Sequence, residues 1–482
     1  MSDDQDHILK WVKLQAWLND HHQAGHLTCK ATLTSSDNRG RTLISNQDIE
    51  DASPILSISH SALLNPRTLP SSFLVAHCQS LSSTQILTLY LSHHRSCQRT
   101  EAKTKLESAF DPYLATFPTK FSGIPLVWLL ESTFQDLQSI HGTDHLALNQ
   151  LKTHHSIRHH SSFGLNSHTF KLLSHSTALK SDQVSRRFMA DWEGLLKSLH
   201  HVDFHEICLS DLLWAWLVVN TRCVWYNLGC KNHDDNISLV PAVDMANHNP
   251  HSQVTLIATP HTFTMYSSYP RGTFASPKTH TIMSSSKPET NSNDKISIYS
   301  GQEIMFSYGP HGNSTLLAEY GFIADSNPWD SIDLTDAIQS HFEISQDDAN
   351  EKKLMLQSAG YWGDYTIQCS SLEISHRIFI ALRLLHLPLN QAQCWLDHVK
   401  GKTDDLGIEV EKRVKNSLQK LFTKVKEDLE TTLGHFERHD PVSCKISSYS
   451  LQSLKTIART ELKTIHSLLN KFVNNDSINQ VA

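Results

Sequence analysis

Strand-like pattern occurs in two widely separated blocks of this chain, within the first sixty residues and again over 239–323. Helical pattern fills the stretch between them, from about 72 to 228, and returns after about 335. A sheet has to gather its strands, so the two blocks must meet in space while the helical stretch leaves and comes back. The expectation is an α+β chain. One β-containing domain would cover residues 1–330 with a helical insert at about 72–228, and a helical domain would cover 335–482.

Local pattern fits that layout. Ile8, Trp11, Leu14 and Leu18 recur at helical spacing. The turn-rich Asp37-Asn38-Arg39-Gly40-Arg41 runs into apolar Leu43-Ile44, and Ile55-Leu56-Ser57-Ile58 follows a proline, so strands are expected at both places. Ser210–Trp225 is the clearest helix of the insert: Ser210 is placed to cap it, and Leu212, Leu213, Trp216, Leu217 and Val219 make it apolar nearly all round. Such a helix is buried. Arg222 near its end therefore needs a partner, because an unpaired buried cation is strongly unfavourable. Further on, Val410, Val414, Leu418, Leu421, Val425, Leu429 and Leu433 step by three or four along one face, as do Leu454, Ile457, Leu462, Ile465, Leu469 and Phe472. Ser267 to Asp294 is rich in Ser, Thr, Pro and Asn and reads as a flexible surface excursion.

Composition removes several function classes. Lys and Arg number 42 against 49 Asp and Glu, a net charge of −7, where a general nucleic-acid coat wants a basic stripe. The nine cysteines include no C-x-x-C pair, which suits a reducing compartment. The opening Met1-Ser2-Asp3-Asp4-Gln5-Asp6 is acidic and lacks an apolar signal core. The longest apolar run, Leu212 to Val219, has eight residues, against the about 20 that a membrane span needs. A soluble protein of the cytoplasm or nucleus is expected, with no direct nucleic-acid or membrane partner, and nothing forces it beyond a monomer.

The 32 histidines include pairs at 21–22, 93–94, 154–155, 159–160 and 200–201. No H-E-x-x-H occurs, and His93, His94 and Cys97 alone make a poor ligand set, so the histidines read as polar surface and no metal site is assigned. G-x-G-x-x-G, G-x-x-x-x-G-K-[ST] and G-x-S-x-G are all missing, which argues against nucleotide-loop and serine-hydrolase chemistry.

Two segments stand out. Leu239-Val240-Pro241-Ala242-Val243-Asp244-Met245-Ala246-Asn247-His248-Asn249-Pro250 runs an apolar strand into an Asp-x-x-Asn-His cluster. Gly301-Gln302-Glu303-Ile304-Met305-Phe306-Ser307-Tyr308-Gly309 ends a strand in Ser-Tyr-Gly and continues through Asn313, Leu316 and Leu317 to Tyr320-Gly321-Phe322. Singly, each piece fits an ordinary turn or core tyrosine. Together and in this order they resemble the two signature motifs of SET-domain methyltransferases, in the branch typified by the Rubisco large-subunit lysine methyltransferase. Arg39-Gly40-Arg41-Thr42-Leu43 resembles that branch's opening loop, with Thr where Gly is usual. Pro112-Tyr113, Phe117-Pro118, Phe121, Pro125-Leu126 and Trp128 resemble a run of its helical insert, and Asn220-Thr221-Arg222 the insert's Arg-bearing end. The resemblance spans about residues 5–325 by motif, and the remainder by position.

That resemblance implies a SET-domain β-fold in which the two motifs cross in a knot-like arrangement, a helical insert, and an all-α C-terminal domain that binds substrate. It implies S-adenosyl-L-methionine as cofactor. The backbone around Arg39, Gly40 and Arg41 would hold its methionine end, Arg222 its carboxylate, and Asn247 and His248 its amino and adenine groups. Phe322 would pack on the adenine, and Asp244 would brace the loop. Tyr308 would stand at the methyl-transfer pore as the central catalytic residue, with Tyr320 lining the same channel. The implied activity is protein-lysine N-methylation of a basic protein such as a ribosomal protein or elongation factor. Histidine methylation by the same fold, or an inactive SET scaffold, are the alternatives. A free lysine titrates near 10.4, so presenting it neutral at pH 7 costs about 4.6 kcal/mol, and a desolvating channel lowers that cost. The eight Asp and Glu of residues 325–351, among which no Lys or Arg falls, form either a solvated linker or a surface that steers a basic substrate. Target site, methyl number and acceptor side chain are not encoded in these motifs.

Overall fold

In the computed structural model, residues 3–21, 29–36, 40–71, 73–74, 80–99, 109–128, 130, 172–198, 209–259, 261–268, 296–344, 348–403, 406–438 and 446–474 are described. They fall into two compact units. The first draws on Met1–Phe121 and Arg187–Gly309, the second on Ser122–Gly142, His160–Arg186 and Pro310–Ala482. The helix Asn313–Tyr320 carries motif residues yet packs within the second unit.

The first unit is built of short strands. β1 (Ala31–Ser36) and β2 (Gly40–Ser45) pair antiparallel, from Ala31 opposite Ser45 to Ser36 opposite Gly40. β3 (Ile49–Glu50) and β4 (Pro54–Ser59) follow. After the insert come β5 (Cys223–Trp225), β6 (Ile237–Leu239), β7 (Asn247–His248), β8 (Thr255–Ala258), β9 (Thr262–Tyr266), β10 (Ile296–Ile298) and β11 (Met305–Phe306). Early and late strands do meet: β4 pairs with β9, which pairs with β8, and β3 pairs with β10. The other edge of β2 is bonded to the second motif, with Ser45 N–H donating to the Gln302 carbonyl and Ile304 N–H to that of Leu43, both at 2.8 Å.

The helix expected over 210–225 runs Leu209–Arg222, so Ser210 is not its cap, and Cys223-Val224-Trp225 instead forms β5 against β6. Leu212, Trp216, Leu217 and Val219 are buried as their spacing requires, each stabilising the fold by about 1.5–3 kcal/mol. The helix packs on Ser83–Arg99, whose Arg95 lies 4.3 Å over the Trp214 ring and 3.4 Å from the buried Asp211. In the N-terminal helix Asp3–Asp20, Trp11, Leu14 and Leu18 are buried, but Ile8 is exposed.

Among the described residues, the second unit is helical apart from β12 (Ser331–Asp333) and β13 (Thr366–Gln368), which pair antiparallel. Helices Ile408–Arg438 and Ser448–Asn474 pack against each other with the predicted faces inward: Val414, Leu418, Leu421 and Leu429 on one, Leu454, Ile457, Ile465 and Phe472 on the other. Arg39, most of the excursion over 267–294 and the histidine pairs at 154–155, 159–160 and 200–201 lie outside the described residues.

Candidate active site

The two motif segments of the first unit lie side by side. β7 and β11 pair in parallel, Met305 beside Asn247 and Phe306 beside His248. The ladder is extended by Asn249 N–H, which donates to the Phe306 carbonyl at 3.1 Å. Just beyond it, Tyr308 N–H donates to His248 Nδ1 at 3.0 Å, so the proton of the neutral imidazole sits on Nε2. The two rings are 5.1 Å apart, and the Phe306 ring lies 5.0 Å from that of Tyr308. The Tyr308 hydroxyl donates to the Ala246 carbonyl at 2.9 Å. With its proton engaged there, what the phenolic oxygen offers a ligand is acceptor capacity.

The Asn247 side chain ties this pair to β2. Its amide donates to Glu303 Oε1 at 2.9 Å and to the Arg41 carbonyl at 3.3 Å. Upstream, Ala242 takes a positive φ of 67°, outside the ordinary range for a residue with a Cβ, at a cost of about 1–3 kcal/mol. The single 3₁₀ turn Val243–Met245 follows and carries Asp244 into the core.

There Asp244, with a fully buried carboxylate, receives Arg222: Nη1 reaches Oδ2 at 3.0 Å and the Asp244 carbonyl at 2.9 Å. Asp244 is thus the partner that the buried position of Arg222 demands. Arg41 lies close enough to feel both charges. Burial first, and then the like charge of Arg222, bring its guanidinium down to about 10, and it donates to the Thr116 carbonyl. Burial pushes the Asp244 carboxyl up, while Arg222, Tyr113 and Arg41 pull it back. The half-buried Cys223 has its thiol pushed well above the usual range, by desolvation first and then by the Asp244 carboxylate, and stays neutral. The cluster therefore sets two guanidiniums against one carboxylate, and Arg222 Nε is left without a hydrogen-bond partner. That surplus of positive charge and donors fits a ligand carboxylate.

Among solved structures, the chain resembles the SET domain of LSMT bound to lysine and AdoHcy, with a TM-score of 0.62 at 13% identity over 97% of this chain and 91% of that one. It likewise resembles Rubisco LSMT bound to AdoMet, with a TM-score of 0.63 at 13% identity over 96% and 92%. The fold is that of a SET-domain protein. A family model for the ribosomal lysine N-methyltransferase 2 C-terminal domain matches residues 330–471. The chain is 33% identical over 232 residues to ribosomal lysine N-methyltransferase set11 of Schizosaccharomyces pombe, and 31% over 198 residues to ribosomal lysine N-methyltransferase 2 of Saccharomyces cerevisiae. These matches cover 46% and 40% of this chain, and 51% and 38% of those relatives. The chain thus spans about half or less of the length of the curated relatives it matches.

Within the SET fold, Gly40, Arg41, Arg222, Asn247, His248 and Tyr308 all belong to the first unit. Tyr320 and Phe322 belong to the second, where their rings lie 6.1 Å apart. Their loop is clasped by Asn313: its backbone and side-chain N–H groups reach Asp330 at 2.6 and 3.0 Å, and its side chain exchanges two bonds with Ala324. Gly321 caps the helix at φ +81°, backbone to backbone with Gly123, whose C lies 2.9 Å from where a Gly321 Cβ would stand. At least three of the eight acidic residues over 325–351 have partners inside this unit. Asp330 holds Asn313, Asp333 accepts from Thr335 N–H at 2.9 Å and faces Lys180 at 3.8 Å, and Asp348 lies 3.0 Å from the buried Lys352. One thing was missed in the sequence: that Arg222 is answered by Asp244.

Among the described residues, no group of His, Cys, Asp and Glu is arranged to hold a metal ion, and no helix is long and apolar enough to cross a membrane.

Proposed function

We propose that this chain is an S-adenosylmethionine-dependent protein-lysine N-methyltransferase. The observation that carries the reading is the β7–β11 pairing, which stands Tyr308 against His248 with its hydroxyl proton already engaged on Ala246. The SET fold and the similarity to ribosomal lysine N-methyltransferases support it. When bound, the cofactor supplies an electrophilic methyl on a sulfonium. Arg222, steadied by Asp244, would hold its carboxylate, with Gly40, Arg41, Asn247 and His248 around it; Arg39 and Phe322 enter on motif alone. Tyr308 would orient an incoming amine through its oxygen lone pairs, and alignment of this kind lowers a barrier without any general base. Solvent takes the lysine proton before transfer, once burial has lowered the amine's pKa. Tyr320 enters on motif alone as a channel residue. Within this reading the substrate is a ribosomal protein, the enzyme works as a monomer in the cytoplasm or nucleus, and neither nucleic acid nor membrane is bound directly.

The test is transfer of labelled methyl from S-adenosylmethionine into ribosomal proteins from cells lacking this protein, with Tyr308→Phe run alongside. A band labelled by the wild type alone, with methyl-lysine found in it by mass spectrometry, is expected. No label together with no cofactor binding would refute the reading.

A further inference from the structure

We infer that Glu303 is a positioning residue for the cofactor's ammonium group: its carboxylate fixes which way the Asn247 amide faces, so that the amide presents its oxygen to the ligand. This rests on the methyltransferase reading above, in which Asn247 lies beside the cofactor's amino-acid end. An asparagine amide has a donor end and an acceptor end of nearly the same shape, so packing alone does not choose between them. Here the neighbours choose. Asn247 Nδ2 lies 2.9 Å from Glu303 Oε1 and 3.3 Å from the Arg41 carbonyl. A carboxylate and a peptide carbonyl accept and do not donate, so the nitrogen must face them, one N–H to each. Turned over, the amide would set its oxygen against two acceptors. Among the described residues, both hydrogen bonds of this side chain run from its nitrogen, and the Oδ1 lone pairs are left to a ligand that donates.

Of the two acceptors, Glu303 holds the amide more firmly. Its contact is the shorter, and a hydrogen bond to a carboxylate is roughly twice as strong as one between neutral groups. Glu303 is itself held in place. It bridges Ile44 at the edge of β2, and on either side of it Ser45 N–H donates to the Gln302 carbonyl and Ile304 N–H to the Leu43 carbonyl. Two residues on, Met305 pairs with Asn247 across β7 and β11. The second motif thus grips the first twice, through backbone at Met305 and through a side chain at Glu303. The guanidiniums of Arg222 and Arg41 suit a carboxylate, and the Asn247 oxygen suits an ammonium. An amino acid carries both groups.

The experiment compares two ligands on the full chain by calorimetry: S-adenosylhomocysteine, and its analogue without the α-amino group. Glu303→Met should bind the first about tenfold more weakly, as loss of one hydrogen bond to a charged group allows, and the analogue as the wild type does. Glu303→Gln should recover most of that loss, because its amide oxygen still accepts from Nδ2. A carboxylate that met the ammonium by its own charge would not be replaced in this way. In an Asn247→Ala background, Glu303→Met should have no further effect on S-adenosylhomocysteine. Equal weakening of both ligands by Glu303→Met, weakening of neither, or no recovery in Glu303→Gln would overturn the inference while leaving the methyltransferase reading intact. A wild-type chain that binds neither ligand would remove both. Should Glu303→Met fold poorly, Glu303→Ala gives the same ligand comparison.

Discussion

The backbone N–H of Tyr308 donates to Nδ1 of His248 at 3.0 Å, across sixty residues of sequence. This bond makes the tautomer of one motif depend on the placement of the other. His248 cannot turn without releasing the peptide that carries Tyr308, and the hydroxyl on the far end of Tyr308 is itself tied to Ala246, two residues before His248. The two segments therefore hold each other at both ends of one tyrosine.

Removing only that oxygen tests its role. Tyr308→Phe should lower kcat about 100-fold or more, as loss of a preorganised polar group at a reacting centre does, while the Kd for S-adenosylhomocysteine changes less than about threefold, within the reach of a single weak contact. Single-turnover kinetics beside calorimetry would separate the two. A comparable loss in cofactor affinity would mean that Tyr308 shapes the pocket instead of the reaction.

The buried pair makes a stability prediction. Asp244→Ala leaves Arg222, whose side chain is only 17% exposed, without its carboxylate, and should destabilise the chain by about 3–5 kcal/mol. Replacing both, as Asp244→Leu with Arg222→Met, should recover most of that loss while abolishing cofactor binding. Urea unfolding curves read the first effect and calorimetry the second. A single mutant as stable as the wild type would show that the pair is solvated.

Glu461 offers a pH dependence. It is buried on the helix Ser448–Asn474, accepts from the Ser174 hydroxyl at 3.2 Å, and is pushed up by burial to about 8 from an ordinary 4.5. A carboxyl raised in the folded state favours folding fully below its unfolded value, and that contribution is lost as pH rises toward the folded value. Stability should therefore fall between pH 5 and 8, by up to about 1.4 kcal/mol per pH unit from this group, and level off above. Glu461→Gln should flatten the slope in thermal unfolding measured across that range. An unchanged slope would assign the dependence to other groups.

At the Gly123–Gly321 contact there is no room for a methyl on either side. Gly321→Ala meets both the positive φ and the backbone of Gly123, and should cost roughly 2 kcal/mol. Denaturant unfolding of the Gly321→Ala protein checks this, and an unchanged midpoint would show that the two backbones separate freely.

How much of this is legible in sequence follows from where the partners lie. The β7–β11 pair and the Tyr308 position are readable because each motif is contiguous, so a few residue types at fixed spacing identify it. The long faces of Ile408–Arg438 and Ser448–Asn474 are readable because periodicity repeats over many turns. The Arg222 requirement is readable too, since an apolar helix cannot bury a lone cation, but its answer in Asp244 is set by a positive φ at Ala242 that no propensity favours. Ile8 fits the helical spacing and still faces outward, because spacing alone does not say how wide the buried stripe is. β5 and β13 escape notice because three residues are too few to show alternation, and Cys223 follows Arg222 with no Gly or Pro between helix and strand. Lys352, buried against Asp348 and the Leu385 carbonyl, looks in sequence like any surface lysine.

The parallel pairing of β7 with β11 has a consequence for the chain that joins them. Parallel neighbours cannot be linked by a tight hairpin and need a long connection, and here that connection contains β8, β9, β10 and the Ser- and Thr-rich stretch over 267–294. Closing a long loop is entropically forgiving: each doubling of its length adds only about 0.6 kcal/mol. Length changes in that connection therefore add little to the cost of bringing the two strands together, and chains with different spacing between β9 and β10 can present the same tyrosine to the same histidine.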